Sequence, residues 1–281
     1  MTLTWTVVVA VLFGALLHAS WNALVKSSTD KALDTALIHL LGSLLALPIA
    51  LAIGWPAPAA WPFIMASVVI HIGYYSALTG AYRHGDLGLT YPLMRGTAPL
   101  LVALSAAITV RETLSPLSWA GVLAVSCGIL VLGLSRHALD SPRAVGFALA
   151  NAVVIAVYTV VDALGARASG NALQYVVALF VFDGWPFALM VLSRRGGAMA
   201  WPYARRRWPV ASLGALASLA SYGIALWAMT RAPVATVAAL RETSVLFAVV
   251  LGTWFLKETL NLRRVAGIAA IAAGVMALRF G

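Results

Sequence analysis

Ten long apolar stretches, each of about 19 to 23 residues, follow one another along this 281-residue chain. An α-helix needs about 20 predominantly apolar residues to cross the hydrocarbon core of a bilayer, so each stretch is long enough to span a membrane. We therefore predict an all-α membrane protein with ten transmembrane helices. The stretches lie near residues 3–25, 33–54, 61–82, 88–109, 116–135, 144–164, 172–192, 208–229, 234–256 and 263–280.

The composition excludes an ordinary soluble protein. Hydrophobic residues make up 62% of the chain and charged residues 10%, whereas soluble domains have about 45–50% and about 25%. The net charge is +10, but Lys and Arg are scattered singly or in small groups between apolar runs, which excludes a nucleic-acid-binding face. The single cysteine, Cys127, can form no intramolecular disulfide, and we predict neither a metal site nor a cofactor.

The two halves of the chain repeat each other at a fixed distance of 146 residues. Several matches in one gap-free register indicate an internal duplication, with residues 1–137 and 138–281 each holding five helices. Because five is odd, the second half enters the membrane from the opposite side, which predicts two inverted five-helix repeats. The matched pairs include Arg95 and Arg241, Thr97 and Thr243, Glu112 and Glu258, Gly121 and Gly267, and Gly128 and Gly274.

Each half also carries the same turn after its fourth helix, an Arg or Lys followed by Glu-Thr-Leu, at 111–114 and 257–260. A glycine follows nine residues after each glutamate and another seven residues later, and the first helix ends in His18-Ala-Ser-Trp21-Asn22-Ala-Leu-Val-Lys26. In these features the chain resembles EamA-type members of the drug/metabolite transporter superfamily. The resemblance implies a carrier, rather than an enzyme, that works by alternating access in a bacterial inner membrane and exports amino acids or related metabolites. We expect the threonine of each turn to cap the helix that follows.

Polar side chains inside apolar helices are costly in lipid and therefore mark candidate substrate-binding residues. In the first helix His18, Trp21 and Asn22 lie three and four residues apart, which places them on one helix face. Two interpretations are open: the wall of a cavity, or a helix contact in which His18 and Asn22 bond a neighbour.

Tyrosines near the middle of the third, sixth and eighth helices are too deep for the interfacial belts, so their hydroxyls need partners inside the protein. Tyr82 lies closer to a helix end, where a belt position is equally compatible. Asp162 shares a face with Tyr158 and is either a substrate- or proton-binding group or a wetted residue paired with Arg167. The further candidates from these helices are His71, Tyr75, Tyr82, Tyr158 and Tyr222.

The repeat-related Arg95 and Arg241 complete the candidate set. Two symmetry-related guanidiniums near a central axis could hold a substrate carboxylate in the two access states. Alternatively, each arginine is tied to carbonyls or to Glu242 and stabilises a gate or the fold. Bends in the two helices would free backbone groups to line a cavity, and the residues expected to bend them are Pro92, Gly96, Pro99 and Pro233.

These features favour a secondary transporter that exports small metabolites, above all amino acids including aromatic and hydrophobic ones, through a central cavity. Proton antiport would need a titrating group such as His18, Asp162 or Glu242, whereas facilitated transport would need none. A carrier of anionic metabolites, phosphorylated or nucleotide-linked, and a broad drug/metabolite exporter are the alternatives. The partners are a small-molecule substrate and the lipid bilayer; the sequence does not fix the oligomeric state, and a monomer is compatible with it.

The distribution of basic residues predicts an orientation. Loops on one side of the membrane hold 13 of the 19 Lys and Arg, and the opposite side, with both termini, holds four. Cytoplasmic loops carry the excess of positive charge, so both termini are expected outside the cytoplasm. The longest predicted connection, residues 193–207, supplies five of the 13.

Overall fold

The computed structural model of the chain describes residues 3–85, 87–133, 141–256 and 262–281. These described residues form eleven α-helices, one short 3-10 helix at Pro58–Ala60 and no β-strand, which confirms the all-α prediction. Eight helices in this described part are long and apolar enough to cross a membrane. The α-helices are α1 (Trp5–Lys26), α2 (Lys31–Ile53), α3 (Trp61–His84), α4 (Leu87–Thr109), α5 (Pro116–Gly133), α6 (Pro142–Ala168), α7 (Ala172–Arg195), α8 (Gly197–Met229), α9 (Val234–Arg241), α10 (Ser244–Leu256) and α11 (Leu262–Phe280).

The connection between the seventh and eighth helices differs from the prediction. The loop expected at residues 193–207 is wrong, because α7 ends at Arg195 and α8 begins at Gly197 and continues for 33 residues. Pro202 and Pro209 both lie inside the helix. Gly196, at φ +77°, makes the sharp turn between the two helices. Since about 20 residues cross the apolar layer, the first turns of α8 extend beyond it.

The predicted ninth span is broken in the middle into α9 and α10. The backbone N–H groups of Glu242 and Thr243 donate to carbonyls three residues back, at 3.2 and 3.1 Å, which is a tight 3-10 pattern. The Thr243 hydroxyl also donates to the carbonyl of Leu240 at 2.7 Å. A side chain that bonds the nearby backbone in this way competes with the helical ladder. The break therefore lies directly beside Arg241.

The prolines expected to bend the two helices lie in different places. Helix α4 continues as one helix from Leu87 to Thr109 with Pro92 and Pro99 inside it, and a bend there stays a prediction. Pro233 lies ahead of α9 as its N-cap residue, outside the helix. The interruption of the predicted ninth span falls after Arg241, where no proline occurs.

Glycines bring α5 and α11 into backbone contact. A Cβ built on Gly128 would lie 2.8 Å from the carbonyl oxygen of Gly267, and one built on Gly267 would lie 2.9 Å from that of Gly128. A Cβ built on Gly121 would lie 2.9 Å from the carbonyl oxygen of Gly274, and one built on Gly274 would lie 2.8 Å from that of Gly121. Because residue 121 faces 274 and 128 faces 267, the two helices run antiparallel. Only residues without a side chain allow this approach.

The other helices pack in pairs that cross the middle of the chain. Helix α1 packs on α8, α3 on α6, α2 on α7, and α4 on α6. Polar groups join some of these pairs: the Ser221 hydroxyl donates to the Gly14 carbonyl at 2.7 Å, and the Ser43 hydroxyl donates to the Phe180 carbonyl at 2.6 Å. Each half thus packs mainly against the other half, so the centre of the bundle is lined by helices from both.

Candidate functional site

Arg95 of α4 is buried at the centre, with 6% of its surface exposed. Its Nη2 lies 2.6 Å from Nε2 of His18 in α1. A guanidinium nitrogen only donates, so Nε2 of His18 accepts and the imidazole is neutral. Nε of Arg95 lies 3.0 Å from Oε2 of Glu242, but its N–H does not point at that oxygen, so the contact is an ion pair without a directed hydrogen bond. The charge of Arg95 is thus balanced by Glu242.

Arg241 is equally buried but has a different environment. Its Cζ lies 5.4 Å from the centroid of the Tyr222 ring in α8, which is a cation–π contact. Glu242 pairs with Arg95 of the other half, so the alternative of an arginine tied to Glu242 holds for Arg95 and not for Arg241. In the part of the chain that the structure describes, no carboxylate forms an ion pair with Arg241. Its positive charge is therefore not neutralised by direct contact.

A small cavity lies beside Arg241 and Glu242. Its volume is about 10 Å³, and residues of α4 and α6 such as Ala98 and Thr159 complete its lining. This is room for about one water, so the bundle is closed around the site. A groove of about 470 Å³ between α7 and α8 is larger, but it is lined almost wholly by apolar groups and contains no charged side chain that would select a polar metabolite.

Asp162 of α6 is fully buried. Its Oδ1 accepts a hydrogen bond from the Tyr175 hydroxyl at 2.8 Å, and its Oδ2 accepts one from the Tyr222 hydroxyl. The alternative that Asp162 is wetted and paired with Arg167 is wrong, because Arg167 pairs with Glu112 at 2.8 Å. Among the described residues, no Lys, Arg or His forms an ion pair with Asp162. Tyr222 contacts both Asp162 and Arg241.

His71 and Tyr158 form a stacked pair between α3 and α6. Their ring centroids lie 4.6 Å apart with an interplanar angle of 27°. Nδ1 of His71 donates to the carbonyl of Ser67 at 2.9 Å and lies 3.7 Å from Oδ1 of Asp183. Within the described residues, no group of three or more His, Cys, Asp and Glu is placed to hold a metal ion.

Tyr75 belongs to a neighbouring cluster rather than to the arginine site. Its hydroxyl lies 3.1 Å from Nε2 of His39 in α2, and its ring stacks on Phe187 of α7 at 4.1 Å. Neither His39 nor Tyr175, the partner of Asp162, was among the residues predicted from the sequence. The signal that could have found both is the one applied to Tyr75: a polar side chain inside an apolar helix needs a partner.

The remaining candidates lie on α1 and α3. Asn22 bonds the carbonyl of its own helix at His18, at 2.8 Å, rather than a neighbouring helix. Trp21 contacts the His18 ring edge-on at 5.3 Å and is half-buried. The side chain of Tyr82 lies outside the described residues.

The first Glu-Thr-Leu turn ties three helices together at one end of the bundle. Glu112 pairs with Arg167 at the end of α6, and its Oε2 accepts from the backbone N–H of Val234 at 2.8 Å. Glu112 therefore caps α9, a helix from the other half. The expected capping of α5 by Thr113 is wrong, because the Ser115 hydroxyl accepts from the Ser118 N–H. Glu258 and Thr259 lie outside the described residues.

A second tie closes the opposite end. Arg207 of α8 binds Asp34 of α2 through two hydrogen bonds, at 3.0 and 3.1 Å, and the Tyr203 hydroxyl donates to the same carboxylate at 3.0 Å. Polar contacts thus join helices of the two halves at both ends of the bundle.

Membrane-length helices packed around buried arginines, carboxylates and aromatic rings are typical of multi-pass membrane transporters of small molecules. Residues 142–280 match the model of the EamA-like transporter family, and the chain belongs to this family. The resemblance seen in the sequence is thereby confirmed.

The comparisons with other proteins bear on the fold. One crystal structure of a protein superposes with a TM-score of 0.77 at 22% sequence identity, covering 99% of this chain and 98% of the other. At this identity the likeness shows the fold alone. No curated protein matches the chain.

Proposed function

We propose that this transporter exports small zwitterionic metabolites, above all amino acids with aromatic or hydrophobic side chains, by alternating access through the central cavity. The observation that carries the proposal is Arg241, a buried guanidinium without a carboxylate partner in the described part of the chain, beside a closed cavity. The planar fork of a guanidinium matches a carboxylate, and the pair is strong where water is excluded.

The remaining groups at the cavity suit the rest of an amino acid. Glu242 lines the same cavity and offers a carboxylate to a substrate ammonium group. The rings of Tyr158, Tyr222 and Trp21 offer faces for an apolar or aromatic side chain and for the ammonium. Arg95 is held by His18 and Glu242 and acts mainly by fixing their positions.

Alternating access rests on two inverted five-helix repeats, residues 1–137 and 138–281. In such a repeat α1 corresponds to α6, α2 to α7, α3 to α8 and α5 to α11. The contact of α1 with α8 then corresponds to the contact of α6 with α3, and the α2–α7 and α5–α11 contacts each correspond to themselves. This pattern of contacts supports the repeat. The antiparallel glycine contacts of α5 and α11 support the inversion, because repeat-related helices then point in opposite directions. Rocking of such repeats opens a central site to each side in turn.

The cellular setting completes the proposal. The membrane is a bacterial inner membrane, as the family resemblance implies. Both termini lie outside the cytoplasm; this orientation is supported by the basic residues, because the loops on one side hold 13 of the 19 Lys and Arg.

Counterflow of a labelled amino acid such as phenylalanine into liposomes carrying the purified protein tests the function. We expect competition by phenylalanine and by other amino acids with large apolar side chains, and little competition by the amide or the amine that lacks the carboxylate. Equal competition by the amide would contradict carboxylate recognition. Competition by sugar phosphates or nucleotides alone would support the carrier of anionic metabolites instead.

Substitution of Arg241 sharpens the test. Losing a charge-assisted contact of about 1.5–3 kcal/mol predicts that Arg241→Gln weakens apparent substrate affinity by roughly 10- to 100-fold. Arg231→Gln is the matched control, since Arg231 also lies over an aromatic ring, Trp227 at 4.8 Å, but is exposed at a helix end. Equal affinities in the two variants would refute the role of Arg241.

A further inference from the structure

Asp162 presents an electrostatic problem that substrate binding at Arg241 does not solve. Its side chain has no exposed surface; it accepts hydrogen bonds from the hydroxyls of Tyr175 and Tyr222, and Ser67 and His71 of α3 lie beside it. A buried carboxylate without a cation beside it carries a large desolvation cost, which a proton removes. The site therefore favours a carboxyl group that gains and loses a proton.

The other two candidates for this role already have partners. Nε2 of His18 accepts from the guanidinium of Arg95, so it has no lone pair left for a proton in this conformation. Glu242 forms an ion pair with Arg95 at 3.0 Å. Asp162 is thus the group at the centre whose charge is not already compensated.

The surroundings of Asp162 agree with this assignment. Helix α6 packs on α3, α4, α7, α8 and α9. His71 approaches from α3 with its Nδ1 turned to the Ser67 carbonyl and to Asp183, and Arg95 of α4 is directed at Glu242. The titratable groups placed against Asp162 are His71 of α3, Tyr175 of α7 and Tyr222 of α8. Asp183 and Tyr158 contact His71, and Arg241 contacts Tyr222.

Tyr222 connects Asp162 to the substrate site. Its hydroxyl donates to Oδ2 of Asp162, while its ring lies under the guanidinium of Arg241. Where a substrate carboxylate takes the place of this ring contact at Arg241, the ring moves and the hydroxyl on the same ring moves with it. Substrate at Arg241 and a proton on Asp162 are therefore coupled through one rigid side chain.

We propose that Asp162 is the proton-binding site of a proton/metabolite antiporter and that Tyr222 is the positioning residue that makes proton and substrate binding exclusive. This inference rests on the proposed function and adds its driving ion. On one side of the membrane the carboxylate of Asp162 takes up a proton to become a neutral carboxyl as substrate leaves Arg241; on the other side it releases that proton as substrate binds. Nothing else is formed or consumed, and one proton crosses for each zwitterion.

The test is the steady-state accumulation of a labelled amino acid in proteoliposomes with a more acidic interior. One proton per substrate moves one net charge, so the membrane potential is held at zero with valinomycin and equal K+ on both sides. A gradient of one pH unit then predicts about tenfold accumulation, because each unit is worth about 1.4 kcal/mol. The accumulation ratio is used because it does not depend on the turnover rate. Counterflow in the same vesicles, without a gradient, shows that each variant is folded and carries substrate.

Three variants locate the effect. Asp162→Asn keeps the shape but binds no proton, so the accumulation ratio should fall from about tenfold to about one. Because the amide resembles the protonated carboxyl, its counterflow should also be slower than that of the wild type. Tyr222→Phe keeps the ring under Arg241 and removes the hydroxyl, so the ratio should fall between these limits. Tyr203→Phe is the matched control: it removes a tyrosine hydroxyl from a carboxylate, Asp34, at the end of the bundle, and its ratio should equal that of the wild type.

The outcomes separate the two proposals. No counterflow by the wild type would refute the proposed function itself. Counterflow without gradient-driven accumulation, or full accumulation by Asp162→Asn, would overturn the assignment of the proton to Asp162, and an unchanged ratio in Tyr222→Phe would overturn the coupling role. If Asp162→Asn does not fold, proton release on adding substrate to the weakly buffered wild-type protein decides: about one proton per chain supports the proposal, and none refutes it.

Discussion

Gly128→Ala tests the backbone contact between α5 and α11. The added methyl group would lie 2.8 Å from the carbonyl oxygen of Gly267 and 3.0 Å from the nitrogen of Ile271. Both are backbone atoms, so relief requires the helices to separate. Overpacking of this kind costs about 1–3 kcal/mol, and the better helix propensity of alanine returns about 0.5–1 kcal/mol. We expect a net destabilisation of roughly 1–2 kcal/mol, measured as the shift in unfolding of the purified protein in detergent.

Gly146→Ala in α6 is the control, because nothing lies within 4 Å of the added Cβ. It should leave stability unchanged or raise it slightly. The repeat adds a second check: Gly274→Ala, in which the new Cβ meets the Gly121 carbonyl at 2.8 Å, should cost about as much as Gly128→Ala. The packing argument would be refuted if Gly128→Ala and Gly146→Ala unfolded at the same temperature in detergent.

Two further substitutions follow from the buried ion pairs. Arg95→Gln leaves Glu242 buried without its cation and should lower the free energy of unfolding in detergent by about 3–5 kcal/mol. Arg241→Gln breaks no ion pair among the described residues and should lower it less. Equal losses would contradict a structural role for Arg95 and a substrate-binding role for Arg241. Glu112→Ala removes the partner of Arg167 and the cap of α9, so it should cost about 1–3 kcal/mol, whereas Thr113→Val should unfold like the wild type; the reverse order would restore the threonine-cap interpretation.

The helices and the arginine pair could be predicted because their signals are local. Apolar length alone predicts most helix bounds, and the fixed shift of 146 residues between Arg95 and Arg241 marks both arginines in the sequence itself. The length of α8 was mispredicted because Pro202 and the neighbouring arginines are typical of a loop, although a proline within a helix can be tolerated. The break beside Arg241 carries no proline or glycine signal.

Partners could not be predicted, because periodicity assigns a residue to a helix face but not to a neighbour. Asp162 and Tyr222 are 60 residues apart in the chain, and Glu112 reaches the first N–H of α9 across 122 residues. The choice of Arg95 rather than Arg241 as the partner of Glu242 depends on how the broken helix is placed against α4. Such pairings arise from tertiary packing, which one sequence does not encode in a readable local pattern.

Accessibility of the central cavity from each side of the membrane tests alternating access most directly. Cys127 is the single cysteine and is exposed, so Cys127→Ser gives a background in which Ala98→Cys places one thiol in the cavity wall. We predict that a membrane-impermeant thiol reagent labels this residue slowly from either side, in whole cells and in inside-out vesicles, and that a transported amino acid slows both reactions. Labelling from one side only, or no protection by substrate, would contradict a substrate site that opens to the two sides in turn.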